Sequence, residues 1–136
     1  MSTGIGRWRA LTEALYVQSA DQKLKWTIND DKSIFADIAE KRITLREKES
    51  GNFETDIQVE ITKDNWLVDS FDDTNLRGLK PRNVKANTYY KVMTDILSMG
   101  KRQANGADQT LDAILAELGT SEIKEDPADL DDDVPF

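Results

Sequence analysis

Glu54-Thr55-Asp56-Ile57-Gln58-Val59-Glu60-Ile61 is the stretch on which the fold turns. Thr55, Ile57, Val59 and Ile61 alternate with Glu54, Asp56, Gln58 and Glu60. Successive side chains of a strand point to opposite faces, so the run predicts a strand with one covered and one solvated side. Upstream, Ser50-Gly51-Asn52 is hairpin-turn chemistry, and before it Ile43 and Leu45 alternate with Arg42, Arg46 and Lys48. Further back, Ile34, Ala36 and Ile38 alternate, then Asn29-Asp30-Asp31-Lys32 supplies another turn. Leu24, Trp26 and Ile28 alternate before that with Lys23, Lys25 and Thr27. Downstream, Lys63-Asp64-Asn65 turns the chain into Trp66–Phe71. Five strands joined by short links predict an antiparallel meander.

Helices flank it. Ile5, Trp8, Leu11 and Leu15, with Ala14 beside them, recur at helical spacing over residues 5–20. Residues 72–86 read as irregular, broken by Gly78 and Pro81. Asn87 is placed to cap a helix to about Met99, with Tyr89, Val92, Met93, Ile96 and Leu97 inside. Gly100 to Gly106 reads as a break. Asp108 then caps a second helix striped by Leu111, Ile114, Leu115 and Leu118, which Gly119 ends. The expectation is an α+β fold in two layers: an N-terminal helix, a five-stranded antiparallel meander and two C-terminal helices. Residues 1–119 form the single globular domain of this reading. Residues 120–136 form an acidic tail with too little apolar surface to offset its ordering entropy, and it is expected to be disordered.

Composition narrows the function classes. No apolar run approaches the roughly 20 residues a membrane span needs. Met1-Ser2-Thr3-Gly4-Ile5-Gly6-Arg7-Trp8 is too polar for a secretory leader, so a cytoplasmic protein without membrane contact is expected. With no cysteine and no histidine, disulfides, zinc-thiolate sites and histidine acid-base chemistry are absent. Glu54, Asp56 and Glu60 invite thought of a magnesium site, but they share the polar side of one strand. Asp69, Asp72 and Asp73 fit a turn and a helix cap. No catalytic residue, metal or cofactor is expected, and the chain is read as not an enzyme.

Charge is unevenly spread. The net charge is −8, and residues 121–136 hold seven acids against Lys124 alone. Arg77, Lys80, Arg82, Lys85, Lys91, Lys101 and Arg102 face a single acid, Asp95, between positions 77 and 102. Tyr90 lies among these bases. A positive groove interleaved with rings is how single-stranded nucleic acid is held, at roughly 1–3 kcal/mol per stacked base. Arg77, Lys80, Arg82, Lys85, Tyr90, Lys91, Lys101 and Arg102 are therefore the candidate nucleic-acid contacts. Trp8, Trp26 and Trp66 are expected in the core and would join the platform only if exposed.

The acidic tail ends in Asp131-Asp132-Asp133-Val134-Pro135-Phe136. Phe136 offers a ring and an α-carboxylate together, which suits an apolar pocket with a basic rim. Pro135 restricts the backbone, Val134 adds apolar contact, and the three aspartates steer toward positive surfaces. These six residues resemble the tip of bacterial single-stranded DNA-binding proteins, which ends in acids, an aliphatic residue, proline and phenylalanine. The resemblance implies recruitment of replication, recombination and repair proteins, and competition with DNA for the basic surface. It covers the tip alone. The body lacks the OB-fold's strand order and internal helix, so that family's DNA-binding residues have no counterpart here. The expected function is a non-enzymatic protein of DNA metabolism, with genome-maintenance proteins and single-stranded DNA as partners. The alternative is an adaptor or decoy, encoded by a phage or mobile element, that mimics the tip without binding DNA. A homo-oligomer is compatible with either.

Overall fold

A computed structural model describes residues 4–51 and 54–123. The tip Asp131–Phe136, the tail from Lys124 and Asn52 of the expected hairpin turn lie outside the described residues. The chain divides into two units, residues 1–105 and 106–136.

In the first unit, α1 (Ile5–Ala20) precedes five strands: β1 (Thr27–Ile28), β2 (Ile34–Ile38), β3 (Lys41–Ser50), β4 (Glu54–Lys63) and β5 (Trp66–Asp72). A 3-10 turn (Asp73–Leu76) and a loop lead into α2 (Tyr89–Ala104). The sheet runs β1-β2-β3-β4-β5, and every neighbouring pair is antiparallel, as the alternation predicts. Ile34 pairs with Leu45, Leu45 with Val59, and Val59 with Phe71, so one apolar row crosses four strands. All four residues are buried, together with Tyr89, Val92, Met93, Ile96 and Leu97 of α2. α2 touches β1, β2 and β4, and α1 packs beside α2.

Two links of the meander are two-residue hairpins. Ala39-Glu40 and Asp64-Asn65 both have positive φ at each position, the backbone that matches strand twist in type I′ turns. Asp64 and Asn65 tolerate that region. Ala39 and Glu40 are held there against their preference.

The structure departs from the sequence reading at several points. α2 does not break at Gly100 but continues to Ala104. A Cβ on Gly100 would collide with the Ile34 side chain and stand 3.1 Å from Trp26 Cγ, so this glycine serves close helix–sheet packing. The α2 cap is Thr88, whose hydroxyl accepts the Lys91 N–H at 3.1 Å, rather than Asn87. β1 is shorter than expected because α2 takes its backbone groups. Gln103 accepts the Trp26 N–H at 2.6 Å and donates to the Leu24 carbonyl at 2.8 Å. Ala14 is exposed, while Glu13 and Thr12 of α1 are buried. Asp56, expected on the solvated side of its strand, is buried opposite Lys48.

In the second unit, α3 spans Ala107–Glu117. Gly106 rather than Asp108 occupies its N-cap, with Asp108 in the first turn. Gly119, at φ 78°, closes it: the Thr120 N–H reaches the Leu115 carbonyl at 2.9 Å, the paired-bond ending glycine permits. None of its residues is buried, and Leu111, Ile114 and Leu118 stand 47%, 50% and 73% exposed.

Candidate nucleic-acid interface

The loop after β5 begins with a cap. Asp72 accepts the Thr74 N–H while Asn75 accepts the Asp72 N–H, which fixes the 3-10 turn. A type II turn follows. Arg77 has φ −62° and ψ 137°, Gly78 has φ 84°, and the Leu79 N–H returns to the Leu76 carbonyl at 3.2 Å. Gly78 is needed at that φ. The turn sets Arg77 on its outer corner.

α1 pins the rest of the loop. Arg9 donates from Nη2 to the Lys80 carbonyl at 3.0 Å and from Nε to the Tyr89 hydroxyl at 2.9 Å. Its guanidinium stands 5.6 Å from the centre of the Tyr89 ring. Glu13, 5% exposed, accepts the Asn83 N–H at 2.6 Å and the Tyr89 hydroxyl. Burial pushes the Glu13 carboxyl up, yet the Tyr89 hydroxyl and the N–H groups of Asn83 and Arg82 together hold it below its ordinary value. Burial and the adjoining Glu13 raise the Tyr89 hydroxyl. One buried carboxylate thus ties α1, the loop and the start of α2 together.

From this frame Arg77, Lys80, Arg82 and Lys85 are all exposed. Among the described residues, Arg77, Lys80 and Arg82 form no ion pair. Tyr90, at the base of the loop, is 43% exposed. Lys91 is tied to Asp95 one turn on, at 2.8 Å. Lys101 and Arg102 sit near the other end of α2, about 16 Å from Tyr90 at 1.5 Å per residue, and Lys101 reaches Glu47 at 3.5 Å. The structure therefore sets Arg77 and Tyr90 on one cleft, leaves Lys80, Arg82 and Lys85 exposed along the same loop and Lys91 in a pair with Asp95, and separates Lys101 and Arg102.

Between the 3-10 turn and α2 lies a cleft of about 250 Å³. Leu76, Leu79, Tyr89 and Tyr90 give it apolar walls, with Arg77 and Asp73 also lining it.

The polar face of the sheet also carries bases, but each has an acid. Arg42 bonds Asp37 at 2.9 Å and lies 4.0 Å from the Phe35 ring centre. Arg46 joins Asp31 at 3.3 Å and Glu60 at 2.8 Å. Lys48 holds Asp72 at 3.0 Å, a bond that raises the ammonium above its ordinary value, with Asp56 and Asp73 adding to it. Among the described residues no cluster of three or more acids has the arrangement of a metal site, and no helix is long and apolar enough to cross a membrane.

The tryptophans divide. Trp26 is buried and donates to Ser19 Oγ at 2.9 Å. Trp8 stacks on Phe71 at 5.1 Å and donates to Asp69. Trp66 is 78% exposed, but at the opposite end of β5 from the 3-10 turn, some 20 Å away by strand rise. It is not part of the loop. Sequence reading missed Arg9 and Glu13, and it took Asp73 as turn or cap chemistry. The first two are four apart on α1, a spacing that ordinarily reads as a surface ion pair.

No protein-family model, curated protein or solved structure matches the chain.

Proposed function

We propose that the chain is a non-enzymatic protein of DNA metabolism that binds single-stranded DNA through the loop at Arg77–Lys85 and Tyr90. Its tip, Asp131–Phe136, recruits genome-maintenance proteins that offer a basic-rimmed apolar pocket. One observation carries the DNA reading. Among the described residues, Arg77, Lys80 and Arg82 have no carboxylate partner, and they stand on a loop pinned beside a half-exposed ring. Phosphates would supply the opposite charge, and Tyr90 offers a face to a base. The tip's role rests on the resemblance of its six residues.

The test is binding of a labelled single-stranded oligonucleotide at two salt concentrations. The reading expects tight binding that weakens steeply with salt. A folded protein with no affinity would overturn it. A pull-down comparing the full chain with a Phe136 deletion tests the tip, and the reading expects partners to be lost with that residue.

A second reading, a protein-binding adaptor or decoy without DNA affinity, is favoured by α3. Its exposed Leu111, Ile114 and Leu118 lie among Asp108, Asp112 and Glu117, with no base on the helix. An intact fold that ignores DNA but retains partners through the tip would select it.

A further inference from the structure

The cleft between the 3-10 turn and α2 has a composition that an ordinary phosphate-binding loop does not need. Its walls are apolar, its volume is about 250 Å³, and a carboxylate, Asp73, lines it beside Arg77. That volume is below the roughly 300–1,000 Å³ of clefts for drug-sized ligands, so it suits a single ring system. Asp73 is only 8% exposed. One of its oxygens, Oδ1, accepts the Ile57 N–H at 2.8 Å. Its own N–H also bonds the carboxyl, so both of these donors are backbone groups. Burial, with Asp56 and Asp72 nearby, holds this carboxyl above its ordinary value, against hydrogen bonds from the Ile57 and Asp73 N–H groups that lower it.

Resting on the single-stranded-DNA reading, we propose that this cleft receives one unstacked nucleobase and that Asp73 selects bases bearing an exocyclic amine. Tyr90 covers the ring from the exposed side, and Leu76, Leu79 and the Tyr89 ring supply the apolar surface. Arg77, set on the corner of its turn, takes the adjoining phosphate. Cytosine, adenine and guanine each carry an amine that can donate to this carboxylate, whose oxygens each have more than one lone pair. Thymine offers only one ring N–H, and the two carbonyls that flank it repel a carboxylate, which weakens that single bond. A general single-strand binder would have an uncharged or basic cleft here.

The experiment is fluorescence anisotropy of the full chain with labelled oligo(dC) and oligo(dT) of equal length, two pyrimidines of similar stacking area. The same oligomers are then titrated with Asp73→Asn and Tyr90→Ala, with circular dichroism to check folding. Oligo(dC) is expected to bind about fivefold more tightly than oligo(dT), the worth of one net hydrogen bond. Asp73→Asn should abolish the difference, because its amide also donates to a thymine carbonyl. Tyr90→Ala should weaken both oligomers alike. Equal affinities, or a preference for oligo(dT), in the unaltered protein overturn the pocket while leaving the DNA reading in place. Binding to neither oligomer overturns both. The comparison between oligomers needs no variant, so it stands even if Asp73→Asn fails to fold.

Discussion

The polar face of the sheet and the loop at residues 77–85 both display arginines and lysines, and they differ in company. On the sheet, Arg42, Arg46 and Lys48 each meet a carboxylate within 3.3 Å, so the face neutralises itself. In the loop, Arg77, Lys80 and Arg82 meet none among the described residues, although the backbone beneath them is tied down by Arg9 and Glu13. On the proposed reading, the loop is marked as a binding surface less by the number of its cations than by how many lack a partner among the described residues. Ordering adds to this. A loop already fixed by hydrogen bonds to α1 loses less entropy when a ligand arrives.

Breaking the pin should have the largest effect. Glu13→Ala leaves the Asn83 N–H and the buried Tyr89 hydroxyl without their acceptor, at roughly 1–3 kcal/mol for the buried hydroxyl and less for the exposed Asn83. Thermal unfolding should show a loss of about 3 kcal/mol, and hydrogen exchange should quicken first at residues 80–90 rather than in β3 and β4. Uniform quickening would mean that the loop has no separate anchor.

A change aimed at the sheet-side packing should act everywhere at once. Gly100→Ala forces a methyl group against Ile34 and Trp26, and overpacking of this kind costs about 1–3 kcal/mol. The denaturation midpoint should fall while exchange at 80–90 keeps its rank relative to the sheet. A neutral outcome would show that Ile34 can move aside.

Acid should loosen the loop selectively. The folded pKa of Glu13 lies below its ordinary value of 4.5. Its contribution is therefore complete above that pH and is lost as pH falls through the lower, folded value. Exchange or tyrosine fluorescence near Tyr89 should report loosening in that acid window, and Glu13→Gln should remove the dependence.

The smallest effect should be a gain. Ala39→Asn with Glu40→Gly puts residues suited to positive φ into the first two-residue hairpin and should stabilise the sheet by about 1 kcal/mol, without altering loop exchange.

These contrasts also separate what could be read in the sequence from what could not. Period-two alternation in Glu54–Ile61 and its neighbours is a local consequence of strand geometry, and it located the meander and its covered face. The α2 stripe from Tyr89 to Leu97 was equally legible. Gly100 was not. As a local signal glycine marks a break, but here the neighbouring Ile34 and Trp26 demand the absence of a side chain within a continuing helix. The short β1 has the same origin, since Gln103, 77 residues beyond Trp26, occupies its backbone. At the candidate site the basic residues were visible as composition, but their grouping was not. Nothing local separates Arg77, Lys80 and Arg82 from Lys101, which a turn-and-helix path carries away toward Glu47. Arg9 and Glu13 were hidden for the same reason, because their partners lie some 70 positions along the chain.

The most direct measurement compares the salt dependence of single-stranded DNA affinity in two triple variants, Arg77→Ala/Lys80→Ala/Arg82→Ala and Arg42→Ala/Arg46→Ala/Lys48→Ala. Each phosphate contact on a single strand contributes about 0.7 to the slope of log affinity against log salt, so the loop variant should lose about 2 units. The sheet variant should keep the slope of the unaltered protein. Loss of slope in the sheet variant, with the loop variant unchanged, would contradict the account.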